Sequence, residues 1–468
     1  MEIDKTVRLL RYSYNRRLSF LYAIARNQKR IILKNVKLIY YLVTKIILKQ
    51  GLLSPSTKKS FLIAYLLVTI PRLIKKLISL ILNRKYRDIV PTTSKILTKS
   101  LQFHTFPMFV VKLISILNLS NFILKSKVRN KLVLNLISSF IAAIVTFPGY
   151  QRYIIEKQND RYYTLDLTLT LVVRAVDTLI FSPYFNGVGD AFLFIASSYF
   201  IMESWFLYPN KLIPSYREWI TSAANMDEEM IKGFRYMNTN EIQYLHKSED
   251  DDTTSDKTLP SEQDYFERFC TKYDKDPKLG DLIHQDKLPC EVIHCFSFKS
   301  CELHALYRFW RQFKFAVKLY GSINVVFWLL LRRKKLSKYI VSTIRSSLFL
   351  ATFSSLDWYG LCLTRKDWLA KLFPNVPQRT WDLLAPKVGA FLSGFSCFVE
   401  SPGRRKELSL FVAPKALGTF ISPKVTERNL MIETLAFSMS FAVLVAFAKH
   451  RPGRVRGLVG SALSIVFN

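Results

Sequence analysis

The strongest constraint on the fold is how the apolar residues are delivered. They come in long blocks, and the blocks are separated by clusters of lysine and arginine. Residues 132–147, LVLNLISSFIAAIVTF, carry no charge at all, and residues 430–448 carry only Glu433. Blocks of about 15–22 residues can cross, or nearly cross, a hydrocarbon layer roughly 30 Å thick when helical. Clusters such as Arg332-Arg333-Lys334-Lys335 and Arg404-Arg405-Lys406 lie between the blocks, where anionic headgroups and the positive-inside bias favour cations. A lipid bilayer with anionic headgroups is therefore the first expected partner.

The chain has 68 Lys and Arg against 35 Asp and Glu, a net charge of +33, and half of its 468 residues are hydrophobic. Such a charge is also found in nucleic-acid binders. Here the cations flank apolar blocks, form no single stripe and accompany no nucleic-acid motif, so that class is set aside. Six cysteines make no disulfide framework. No GxSxG, P-loop, HExxH or dinucleotide fingerprint occurs. The expectation is a non-enzyme without a cofactor.

A phrase near the middle of the first half returns near the end. The first copy reads SFIAAIVTFPG (139–149), then RAVDTLIFSP (174–183); the second reads SGFSCFVESPG (393–403), then KALGTFISP (415–423). Both copies run from a small-residue apolar segment through Pro-Gly and basic residues to an apolar segment with one cation and Ser-Pro. The first copy carries about 13 extra residues after its Pro-Gly. The repetition predicts internal duplication. Residues 1–57 read as a basic amphipathic segment, lying on a membrane surface or acting as a targeting element, and not as a cleavable secretory signal. Residues 58–215 form the first membrane repeat, with apolar blocks at 61–82, 101–119, 132–147, 165–181 and 191–208. Residues 216–288 form an acidic, partly disordered linker containing SEDDDTTSDKTLPSEQD, flanked by short surface helices and available to protein partners. Residues 289–468 form the second repeat, with blocks at 313–331, 336–362, 388–399, 408–421 and 430–448. The predicted fold is all-α: a multi-pass integral membrane protein of two repeats with four to five helices each.

Three groups of residues are candidates for function. Asn135, Ser139 and Ala143 share one helix face, as do Gly389, Ser393 and Cys397, because residues four apart stack along a helix. Small residues in this register let helices approach closely inside a bilayer, and the same faces could line a pathway. Arg174, Asp177 and Lys415 are charges inside apolar blocks. Such groups face a cavity or a partner, or their long stems snorkel to the headgroups. Arg174 and Asp177, three apart, could pair on one face; Arg345 and Asp357 fall under the same two readings. Arg404, Arg405 and Lys406 form a basic turn that reads as a membrane exit. The last group is Cys290, His294, Cys295, Cys301 and His304. Its spacing leaves a structural metal on Cys290, His294, Cys301 and His304 open, beside reduced thiols and a disulfide.

Cys290, His294, Ser300 and Cys301, leading into the helix-forming LHALYRFWRQFKFAV, resemble the cysteine-rich entry of the transmembrane protein 135 family, a peroxisomal membrane protein type. Glu400-Ser401-Pro402-Gly403-Arg404-Arg405 is similar to that family's basic turn. The resemblance covers roughly residues 289–425, and the first half only as the degenerate repeat; more distantly the chain resembles the Tim-type translocase group. His294 is followed by Cys295, where the family has proline. The resemblance implies a multi-pass protein of the peroxisomal or mitochondrial membrane, concerned with lipid or solute movement or lipid homeostasis, or alternatively a non-transporting scaffold or tether affecting organelle dynamics.

Overall fold

The computed structural model describes residues 34, 48–82, 86–159, 161–180, 188–224, 226–238, 265–281, 287–331, 336–422 and 424–467. Among them every regular element is helical and no strand occurs. Most of the basic amino-terminal segment and the acidic run 248–264 lie outside the described residues. Five helical stretches are long and apolar enough to cross a membrane: Phe106–Leu124, Lys131–Lys157, Val188–Leu207, Gln378–Val399 and Glu427–His450. Each contains or overlaps one of the expected blocks. The other five expected blocks are also helical but carry more charge or lower hydropathy. Contacts divide the chain into two compact units.

The first unit comprises residues up to 157 together with 437–454 and 459–468. Its helices are α1 (Pro55–Leu82), α2 (Ile89–Lys99), α3 (Phe106–Leu124) and α4 (Lys131–Gln158). Pro71 and Pro148 sit inside α1 and α4 without ending them. Asn118 of α3 donates to Ser54 (2.7 Å), Ser56 (3.1 Å) and Thr57 (3.3 Å) at the start of α1, which satisfies a polar group that would be costly to leave bare in an apolar setting. The small-residue face of α4 is covered by the carboxy-terminal part of the helix Glu427–His450. Phe437 stacks on Phe147 at 4.0 Å, and at the other end His450 and Lys449 reach Asn135 at 3.0 and 3.1 Å. The two helices therefore run antiparallel, with Ser139 and Ala143 fully buried between those anchor points.

The second unit comprises residues 158–436 with 455–458. It holds α5 (Arg161–Ile180), α6 (Val188–Leu207), α7 (Pro214–Ala224), α8 (Glu228–Asn238) and α9 (Tyr265–Lys272). There follow α10 (Cys290–Ile293), α11 (Cys301–Leu331), α12 (Leu336–Thr364), α13 (Asp367–Leu372), α14 (Gln378–Gly394) and α15 (Pro402–Gly418), then the start of α16 (Glu427–His450). The last helix of the chain, α17 (Gly457–Phe467), lies mainly in the first unit. The helices α11 and α12 form a long hairpin, α12 packs on α14, and α6 packs on both α14 and α15. Small residues set the closest approaches. A Cβ at Gly389 would lie 2.4 Å from the Asp357 carbonyl oxygen, and one at Gly360 2.7 Å from the Gly389 Cα. Ser393 and Cys397 are fully buried on the same face.

Two local expectations change. The helix α8 is not a surface element: Met230, Phe234 and Met237 are fully buried and pack with Phe266 and Phe269 of α9, because their spacing puts them on one helix face. The Pro-Gly phrase takes two conformations. In the first copy α4 continues through Pro148-Gly149 to Gln158. In the second, α14 tightens into a 3-10 segment (Phe395–Val399), Glu400 and Ser401 are extended, and Pro402 opens α15, where its missing N–H costs nothing. Arg404, Arg405 and Lys406 are thus helical rather than a turn. Arg405 clamps the junction by donating to the Cys397 carbonyl (3.1 Å) and the Glu400 carbonyl (3.3 Å), and its guanidinium covers the Phe398 ring.

Candidate functional site

Charges buried in the second unit find partners on other segments of the chain. Arg174 and Asp177 do not pair with each other. Arg174 reaches Glu407 of α15 at 3.4 Å and donates to the Arg456 carbonyl at 3.2 Å. Asp177 and Asp190 both bind the Arg456 guanidinium, the second at 3.2 Å. Gly457 completes this knot: its φ is +78°, a backbone conformation that favours glycine, and a Cβ there would lie 2.3 Å from the Arg174 guanidinium, which would have to shift. Lys415 of α15 pairs with Asp166 of α5. Arg161 pairs with Glu433, which also accepts from Thr168 at 3.4 Å. Arg345 is exposed and Asp357 is partly buried.

Two of these pairs form a pattern. Asp166 precedes Arg174 by eight residues in DLTLTLVVR, and Glu407 precedes Lys415 by eight in ELSLFVAPK. Each helix uses its acid to hold the other's cation: Asp166 with Lys415, and Glu407 with Arg174. The helices α5 and α15 are therefore antiparallel and reciprocally bridged. Both acids are 30% exposed, while the cations are 7% and 14% exposed, and Thr168 and Ser409, at matching places, are both buried.

Beside this crossing lies a cavity of about 430 Å³ between α5, α6 and α15. Its walls are apolar, including Val176, Leu193, Phe200, Ala413 and Phe420, and it meets Asp177, Asp190 and Arg456. Phe192 at its rim is 74% exposed. The volume is in the range of about 300–1,000 Å³ typical of small-ligand sites. A second cavity of about 250 Å³ is lined by Phe194, Trp219, Gln312, Phe349, Asp357 and Trp358 among others.

The cysteine and histidine residues separate into two sets. In one, the ligand atoms of His294, Cys301 and Cys362 all lie within 4.8 Å of one another. His294 Nε2 is 3.2 Å from Cys362 Sγ, and its Nδ1 donates to the Phe298 carbonyl at 2.7 Å. Cys290 is outside this group of three, although its carbonyl accepts from the His294 backbone N–H at 2.8 Å. Burial pushes the Cys301 and Cys362 thiols up. In the other set, His304 Nδ1 donates to Ser297 Oγ at 2.8 Å, since that hydroxyl gives its own proton to the His294 carbonyl. Arg308 donates to His304 Nε2 at 3.3 Å and reaches Cys295 at 3.7 Å. Burial, then the charge of Arg308, holds His304 down at about 3. His304 stacks on His294 with centroids 4.4 Å apart. Of the sequence grouping, only His294 and Cys301 come together: Cys362 joins them, His304 stacks behind His294, and Cys290 stays outside the group of three.

Asp190, Glu407, Arg456, Asp166 and Cys362 were not singled out from the sequence. The acid eight residues before each cation was a readable signal; the others come from distant parts of the chain and had none. No known family model matches the chain, and neither do curated proteins or solved structures. Among the described residues, the fold and its site define an all-helical protein with five helical stretches long and apolar enough to cross a membrane and a buried ionic knot beside an apolar cavity.

Proposed function

We propose that the chain is a multi-pass protein of the peroxisomal or mitochondrial membrane, built from two repeats, that moves or handles a lipid or similarly amphipathic solute. The carrying observation is the 430 Å³ cavity, apolar except where Asp177, Asp190 and Arg456 join its lining. Apolar walls suit an acyl chain, and a charged end suits a polar headgroup. The duplication is supported by the reciprocal bridges between α5 and α15, since matched positions pairing with each other across a two-fold is what a duplicated interface produces. A non-transporting scaffold or tether is the second reading. It is favoured by the pairing of Arg174, Lys415 and Arg456, which a static support also needs.

Reconstitution in liposomes containing fluorescent phospholipid separates the two. The wild-type chain should scramble the label. Ala196→Trp with Ala413→Trp, which fills the cavity, should reduce the rate at least tenfold while the helical spectrum and the elution volume stay unchanged. Flat traces from folded wild-type protein, with no solute flux either, would sink the transport reading and leave the scaffold.

A further inference from the structure

We infer that Cys290, His294, Cys301 and Cys362 form a structural zinc site that fastens the α10 segment and the start of α11 to α12. Three cysteine sulfurs and one imidazole nitrogen are a ligand set that Zn²⁺ takes in closed tetrahedral sites. Ideal bonds of about 2.3 Å to sulfur and 2.0–2.1 Å to nitrogen put ligand atoms roughly 3.5–3.8 Å apart. Three of the atoms already lie within 4.8 Å of one another, one pair at 3.2 Å, so closure needs side-chain rotation and small shifts, not refolding. Cys290 is assigned as the fourth donor because it sits in the first turn of α10, one turn before His294, whose backbone N–H donates to the Cys290 carbonyl at 2.8 Å.

The histidine is prepared for a metal. Its Nδ1 proton is committed to the Phe298 carbonyl, so Nε2 presents a lone pair to the thiols; ligating imidazoles are commonly oriented by this kind of outer hydrogen bond. The stacked His304, fixed by Ser297 and Arg308, holds the ring plane. Cys295 is turned away toward Arg308 and is not a ligand. Binding converts three thiols to thiolates, releases three protons and leaves the centre with one net negative charge.

The test uses the full chain purified in detergent under reducing conditions. Elemental analysis should find one zinc per chain. Cys362→Ser and Cys290→Ser should each lose most of it, whereas Cys295→Ser should keep it. Cobalt substituted into the wild-type chain should give the intense visible bands of tetrahedral coordination and the near-ultraviolet bands of thiolate ligation, a readout that does not depend on any variant folding. Wild-type protein with neither stoichiometric zinc nor a tetrahedral cobalt spectrum overturns the proposal. So does full zinc retention in well-folded Cys362→Ser, or a disulfide joining two of Cys290, Cys301 and Cys362 in protein trapped directly from cells.

Discussion

Replacing Gly389 with alanine should destabilise the second unit, against the intrinsic preference of helices for alanine. A Cβ there would meet the Asp357 backbone oxygen at 2.4 Å, about 1 Å inside normal contact, and neither backbone can swing aside as a side chain would. The helices α12 and α14 must separate by roughly 1 Å, and a gap of 0.5–1 Å forfeits about a quarter to a half of each dispersion contact across the interface. Overpacking of this kind costs about 1–3 kcal/mol. The loss of contacts adds to that, and the propensity gain of about 1 kcal/mol offsets part of it. The net loss should be about 2 kcal/mol, close to a thirtyfold change in the unfolding equilibrium. Gly403→Ala adds the same methyl where nothing lies within 4 Å, so it should be neutral or stabilise by up to about 1 kcal/mol. Gly360 faces Gly389 directly. Once one substitution has opened the crossing the second should cost little, so the double variant should match the worse single. Unfolding by denaturing detergent in mixed micelles, followed by tryptophan fluorescence, measures all four. Gly389→Ala as stable as wild type, or single costs that add in full, would refute the close-approach account.

Other buried contacts give further expectations on the same assay. Arg456→Met leaves Asp177 and Asp190 without their cation and should cost about 3–5 kcal/mol; adding Asp177→Asn and Asp190→Asn should recover much of that. Arg365 is 1% exposed against a wholly buried Asp382, so Arg365→Met should cost about 3–5 kcal/mol, and less when Asp382→Leu accompanies it. Phe437→Ala removes the ring stacked on Phe147 and should cost about 3–5 kcal/mol in the first unit. Asp166→Lys and Lys415→Asp should each weaken the second unit, and the exchanged pair should be closer to wild type than either single, as double-mutant coupling requires.

Hydropathy is a local property, and it made the helical architecture legible. A block such as 132–147 must be helical in lipid whatever its neighbours do, because its backbone polar groups have no other partner there. The small-residue faces were legible for a related reason: the four-residue spacing is built into the helix. Partnerships were not. Lys415 and Asp166 are 249 positions apart, and Asp177 and Arg456 are 279 apart, so no window of sequence contains both members. Arg174 and Asp177 looked like a pair because they are near neighbours, but Arg174 is drawn to Glu407 of α15 and Asp177 to Arg456 in the link before α17. Cys362 lies 68 positions beyond His294, inside a helix whose sequence shows no metal-site spacing. The basic run 404–406 read as a turn because a sequence shows the composition of Pro-Gly-Arg-Arg but not whether proline ends a helix or begins one.

The match between α5 and α15 in sequence also locates where the two phrases diverge. Asp166, Thr168 and Arg174 answer to Glu407, Ser409 and Lys415, and the four charged positions close on one another across the crossing. Three residues beyond each cation the match stops: Asp177 in the first copy corresponds to Gly418 in the second. A carboxylate buried there needs a cation, and it takes Arg456 from a segment that follows the second copy, with Asp190 as a second acid on the same guanidinium. Those three residues are the charged members of the cavity wall. The matched positions therefore bridge the crossing, and the charged residues of the cavity wall all lie outside the match. If the cavity binds an amphipathic ligand, headgroup selectivity belongs to Asp177, Asp190 and Arg456. Exchanging the reciprocal pair Asp166 and Lys415 should then alter stability while leaving the order of headgroup preference unchanged.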